Sequence, residues 1–215
     1  MGRKTSARGK QSRGRPVEFD REAAVRAAMN RFWKRGFGSV PASDLADSMA
    51  ITRSSLYNSF GDRESVFREA LETYRRLAPD AALAGIAPGV RVRPTVRKVF
   101  REICRVRAAD PEARGCLLIN AIGELVGVHK TLGKAVAEAV RDSVRVYERV
   151  LKQAADQGEI ERPRDLRAAT RAFVAFVAGL NAVSKVIRDE DALWRLCDSF
   201  LDRYGLGAER IGQRR

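Results

Sequence analysis

The chain is poor in the residues that most often carry out chemistry. Among its 215 residues there is one histidine, His129, and there are three cysteines, Cys104, Cys116 and Cys197. A single imidazole excludes an H-E-x-x-H zinc site and any multi-histidine metal centre. The cysteines lie far apart without C-x-x-C spacing, so neither a structural zinc nor a disulfide framework is expected, which fits a reducing cytoplasm. Prolines number seven. The longest uncharged stretch, residues 172–184, has thirteen residues and ends at Lys185, short of the roughly 18–20 that a membrane span needs. The N-terminus is basic but has no apolar core of the kind a secretory signal carries. The expectation is therefore a cytoplasmic protein with no membrane, no metal, no cofactor and no nameable enzyme chemistry.

What the chain has instead is positive charge and helix formers. Lys and Arg total 41 against 27 Asp and Glu, a formal charge of +14, with 45% hydrophobic and 32% charged residues. That balance reads as globular, helical and attracted to polyanions. Residues 1–76 carry half of the excess, +7, in about a third of the length. Within them a 1–17 arm holds Arg3, Lys4, Arg8, Lys10, Arg13 and Arg15 among glycines. It has nothing to bury and reads either as a solvated tail or as a contact to nucleic acid.

Asp20 caps a first predicted helix ending near Arg35, with Val25, Ala28, Met29 and Phe32 on one face and Gly36 as its stop. A second short helix is predicted to open at Pro41, a third runs from a Thr52 cap to Phe60 with Leu56 and Phe60 inward, and a fourth from an Asp62 cap to about Arg76. Residues 77–94, with three prolines, read as a linker holding at most a short helix. Beyond it helices are expected over 94–108, 114–128, 130–155, 165–187 and 191–204. No alternating strand pattern appears, so the fold class is all-α with about nine helices.

The second and third helices, joined by a tight turn, form a helix-turn-helix pattern. The outer face of the third offers Arg53, Ser54, Ser55, Tyr57 and Asn58, the residue types that read base edges and hold phosphates. The stretch 36–67 carries Asp44-Leu45-Ala46, then Thr52-x-x-x-Leu56-Tyr57-x-x-Phe60, then Gly61-Asp62-Arg63-Glu64. Over residues 18–76 the chain resembles the TetR family of bacterial transcriptional regulators.

The resemblance implies a DNA-binding domain over 18–62 and a dimerising, ligand-binding domain over 63–215, the fourth helix connecting them. It implies DNA contacts from Ser43, Thr52, Arg53, Ser54, Ser55 and Tyr57, with Asn58 and Arg63 at phosphates and Arg13 and Arg15 reaching an adjacent minor groove. Three positions depart from the family pattern: Ala50 stands at a common turn glycine, Pro41 at a Ser or Thr, and Ser55 at a Gly or Ala. The partners implied are double-stranded DNA bearing an inverted-repeat operator, a second copy of the chain and a small-molecule effector. The dimer face is expected at Phe173, Val177, Leu180, Leu193, Trp194 and Phe200, unless these residues form an intramolecular core. The effector is expected at Phe100, Cys104, Leu118, Ile122, Glu124, Tyr147 and Phe176. Glu124 stands out as the one charge within 115–128, a carboxylate that must be paired, solvated or used. Cys116, near a helix start beside Arg114, is either a thiol of lowered pKa or a buried inert one. The function implied is a ligand-released repressor; the alternative is a non-specific, nucleoid-type DNA-binding protein.

Overall fold

The computed structural model describes residues 19–208. The 1–17 arm, with Arg13 and Arg15, falls outside the described residues. Nine α-helices follow one another: α1 (Arg21–Arg35), α2 (Ala42–Ser48), α3 (Arg53–Phe60), α4 (Arg63–Leu77), α5 (Val92–Ala109), α6 (Leu117–Leu125), α7 (Lys130–Asp156), α8 (Leu166–Val183) and α9 (Glu190–Arg203). A 3-10 helix, Pro79–Gly85, sits in the expected linker. There is no strand among the described residues, so the all-α expectation holds.

The expected caps account for the starts. Asp20, Thr52 and Asp62 each accept a backbone N–H three residues on, at 3.0, 3.0 and 2.7 Å. Such a cap is worth about 0.5–2 kcal/mol over alanine. Pro41 precedes the first helical residue of α2 rather than opening it. The helix expected over 114–128 shrinks to nine residues. Positive φ at Ala113, Gly115 and Gly127 bends the chain on both sides of it.

Two apolar cores divide the molecule. The first joins α1–α4 through Phe32, Leu45, Leu56 and Phe67, and it continues into α6 and α7 through Leu117, Leu125, Leu132 and Val136. Packing therefore does not stop at residue 62: the DNA-binding end is built on α6 and the start of α7 as well as on α4. The second core packs α5, α7, α8 and α9 around Phe100, Tyr147, Leu151, Phe173, Leu193 and Leu201. Truncating a fully buried leucine in either core, such as Leu45 or Leu193, costs about 2–5 kcal/mol.

Candidate nucleic-acid interface and effector cavity

The helix-turn-helix is locked from below. Leu56 and Phe60 of α3 are buried, while Arg53, Ser54, Tyr57 and Asn58 are exposed on its outer face. Ser43, on α2, is also exposed. Arg21 of α1 donates to the Ser59 carbonyl at 2.9 Å, pairs with Glu69 of α4 at 2.6 Å and lies 4.1 Å over the Phe60 ring, fixing the end of α3. At its start the Thr52 hydroxyl donates to the Ser55 hydroxyl at 2.9 Å, with the Ser54 hydroxyl also at 2.9 Å. Thr52, Ser54 and Ser55 thus form one hydroxyl cluster beside Arg53.

The turn between α2 and α3 is a Schellman arrangement. Ile51 N–H donates to the Ala46 carbonyl and Ala50 N–H to the Asp47 carbonyl, both at 3.1 Å. Such a turn needs a left-handed residue in its middle, and Ala50 takes it with φ of +54°. The departure from glycine at this position is therefore accommodated as strain, not as a different turn.

Arg63, expected at a phosphate, turns inward. Its Nη1 donates to the carbonyls of Phe37 (3.0 Å) and Val40 (2.8 Å), and its guanidinium lies 4.0 Å over the Phe37 ring. It clamps the α1–α2 loop to the first turn of α4. Glu124 also departs from its expected place. Its carboxylate accepts the N–H groups of Phe37 (3.0 Å) and Gly38 (2.6 Å), so it holds the α1–α2 loop and does not line the cavity of the C-terminal domain. Gly36 makes room for it: φ is +78°, and a Cβ there would meet the carboxylate at 2.9 Å.

The cavity of the C-terminal domain lies between α4, the 3-10 helix, α6 and α7, with a volume of about 380 Å³. Tyr74, Asp80, Cys116, Leu118, Ser143, Val146 and Tyr147 are among its lining. A smaller extension reaches Arg107 of α5 and Asn181 of α8. Of the residues expected here, Leu118 and Tyr147 line it. Phe100, Cys104 and Phe176 belong to the second core, and Ile122 packs against the first. Cys104 and Cys197 meet there with their sulfurs 3.4 Å apart.

Tyr74, Asp80, Arg107 and Asn181 were not foreseen. The signal for Arg107 was its register: it stands on the stripe Val96, Phe100, Ile103, Arg107 of α5, otherwise apolar. Burial pushes the Cys116 thiol up, against a hydrogen bond with Tyr74 that pulls it down, so the thiol of lowered pKa is not what the structure holds.

The dimer expectation also needs correction. Phe173, Val177, Leu180, Leu193 and Trp194 are all buried within the single chain. Apolar residues occur on more than one side of α8 and α9, and the periodicity picked the face that fills the second core. Phe200 is half-buried, and the faces left open carry Phe176, Val183, Val186 and Leu196. With a mean hydropathy of 1.3, α8 is by length and composition apolar enough to cross a membrane. Its other face is nevertheless packed in the bundle and buries the polar Thr170 and Asn181.

A rigid helix-turn-helix presenting a polar helix face, set on a helical bundle that holds a cavity, defines a DNA-binding regulator. The comparisons with known proteins agree. Residues 24–70 match the family model for bacterial regulatory proteins of the tetR family, and residues 93–200 match the tetracyclin repressor-like C-terminal domain. The chain belongs to the TetR family of transcriptional regulators. It is 26% identical over 182 residues to YezE, an uncharacterized HTH-type transcriptional regulator of Bacillus subtilis, covering 84% of this chain and 93% of YezE. It is 31% identical over 112 residues to the HTH-type transcriptional repressor ComR of Escherichia coli, about half of each chain at 52% and 53%. Among solved structures it is similar to a cysteine mutant of the TetR family regulator CifR complexed with a 26 bp operator. The TM-score is 0.76 at 26% identity, covering 89% of this chain and all of that one.

Proposed function

We propose that the protein is a dimeric repressor that binds an inverted-repeat operator and leaves it when a small molecule fills the C-terminal cavity. The exposed polar face of α3 carries this reading: Arg53, Ser54, Tyr57 and Asn58 project from a helix whose other face is sealed into the core. A single module of this size touches few base pairs, so a pair of them on two half-sites about 34–36 Å apart supplies the specificity. The open apolar faces of α8 and α9 are the surface on which two copies would meet. That CifR is seen with a 26 bp operator supports the reading of DNA as partner.

Release has a mechanical basis in α4. The helix carries the Arg63 clamp in its first turn and Tyr74, part of the cavity wall, near its end. Eleven residues of helix separate the two by about 16 Å. A ligand that displaces Tyr74 moves the same rod on which the α1–α2 loop is clamped.

Selection from random duplexes followed by sequencing tests the proposal. An enriched inverted repeat, bound far more tightly than random DNA at fixed salt, is the expected result. Equal binding to all sequences would leave the nucleoid-type alternative instead.

A further inference from the structure

Arg107 is buried, yet its hydrogen bonds go to neutral groups. Nε donates to the Asn181 side-chain oxygen at 2.7 Å and Nη2 to the Tyr74 hydroxyl at 3.0 Å. No described carboxylate lies within ion-pair distance of it. A buried guanidinium left without an anion is costly, and buried charges are as a rule paired. Across the same cavity the Tyr147 hydroxyl is buried without a hydrogen-bond partner. Asp80 faces the Tyr147 phenol closely enough for a hydrogen-bonding interaction between the two groups, although the geometry of a closed hydrogen bond is not reached. A guanidinium hydrogen-bonded only to neutral groups and a phenol without a closed hydrogen bond therefore face one narrow space of about 50 Å³, walled by Leu118, Val140, Val174 and Val177 with Asp80 beside them.

We infer that this cavity binds a small monocarboxylate with an apolar body, its carboxylate held by Arg107 and the Tyr147 hydroxyl. The inference rests on the proposed cavity as the effector site and adds the chemical class of the effector. The carboxylate would occupy the space of about 50 Å³ at Arg107 and the apolar body the adjoining cavity of about 380 Å³, near the lower end of the roughly 300–1,000 Å³ of small-molecule pockets, which suits a short chain or a single ring. Burial pushes the Asp80 carboxyl up toward its neutral form, against a backbone hydrogen bond and the Arg107 charge that pull it down. The same upward push lessens the repulsion that a ligand carboxylate meets from Asp80. A cationic ligand would instead meet repulsion from the buried Arg107 guanidinium. At the mouth the exposed Arg76 adds positive potential for an incoming anion.

The test uses the full chain with matched probes: hexanoate, hexanamide and hexylamine, then benzoate, benzamide and benzylamine. Thermal melting reads binding, and anisotropy of a labelled operator duplex reads release. At least one carboxylate is expected to raise the melting temperature while its amide and amine do not. Tyr147→Phe removes a hydroxyl that closes no hydrogen bond in the chain and weakens the carboxylate about tenfold, read against the variant's own ligand-free melting temperature. Arg107→Gln abolishes the carboxylate effect; if that variant does not fold, Tyr147→Phe decides alone. The inference is overturned if the amines bind in place of the acids, if amide and acid bind equally, if no acid binds, or if Tyr147→Phe binds as the parent does. Carboxylate binding without operator release would sink the release reading and leave this site standing, whereas release by an amine would do the opposite.

Discussion

Glu124 and Gly38, 86 positions apart in sequence, are joined by a 2.6 Å hydrogen bond from the Gly38 N–H to the Glu124 Oε1. The second oxygen takes the N–H of Phe37 at 3.0 Å, so one carboxylate of α6 holds two successive amides of the α1–α2 loop. Hydrogen bonds to an ionised acceptor are stronger than neutral ones, and losing this pair, with only Phe37 buried and Gly38 open to water, costs about 1 kcal/mol. Glu124→Ala should lower the urea midpoint accordingly, while Glu124→Gln, which keeps one acceptor, should recover part of the loss. Hydrogen exchange localises the effect: the amides of Phe37 and Gly38 exchange faster in Glu124→Ala. Unchanged exchange at those two amides would refute the link.

Ala50 sits at φ of +54° in the turn of the helix-turn-helix. A non-glycine residue there is strained by about 1 kcal/mol, and glycine removes the strain but loosens the unfolded chain. The net expectation for Ala50→Gly is a gain of a few tenths to about 1 kcal/mol, with α3 unmoved. Urea unfolding reads the sign, and a destabilised Ala50→Gly would show that the turn is not strained.

On the DNA side, exposed residues should divide by what they touch. Arg53→Ala removes a base-reading side chain and should relax preference at one position of the operator by about 1–3 kcal/mol. Asn58→Ala should weaken all sequences alike. Arg63→Ala should act mainly through stability, because its guanidinium holds the Phe37 and Val40 carbonyls. Competition binding against operator variants, together with melting temperatures, separates the three.

Asp110 provides the pH test. Burial would raise its carboxyl, but hydrogen bonds from the Arg114 side chain and backbone and from the Glu112 N–H outweigh it and hold the group below the usual carboxylate range. A folded pKa below the unfolded one gives stability that is present above about pH 4 and lost as pH falls through the folded value. The difference in melting temperature between parent and Asp110→Asn should therefore be full at neutral pH and shrink below about pH 4. A difference that stays constant down to pH 2 would exclude this linkage.

Helix starts were legible because they are local: a cap and its acceptor lie three residues apart, and Asp20, Thr52 and Asp62 all act as their spacing indicates. So was the inward set of the DNA-binding end, where apolar residues lie on one stripe of each helix. Glu124 was legible as an anomaly but not in its use, because its partner is backbone far away in sequence. Of the expected effector residues, Leu118 and Tyr147 line the cavity, and the others lie elsewhere for a different reason. The expected Phe100 and Cys104 are apolar residues whose places are filled by a close-packed core and Phe176 lies half-buried at its edge, while the cavity is bounded by polar groups, Tyr74, Asp80 and Arg107, drawn from three separate elements. Periodicity ranks apolar positions by face; it does not say where packing leaves space.

The same ambiguity governs the dimer face, where the structure makes a sharper prediction than the sequence. With Phe173, Leu193 and Trp194 sealed inside the chain, the proposed meeting surface shifts to the open sides of α8 and α9 and the link between them, with Val183, Val186 and Leu196 and the 3.8 Å stack of Phe176 on Phe200. Leu196 is 43% exposed in the single chain, so Leu196→Glu should fold normally yet place a charge in an apolar contact. Sedimentation should then report a monomer with parental helicity. Its operator affinity should fall by about a hundredfold or more, because the two modules no longer reach both half-sites together. Val128→Glu, at a 79% exposed position before α7, is the control that should leave the assembly intact. A Leu196→Glu protein that still sediments as the parent would place the interface elsewhere.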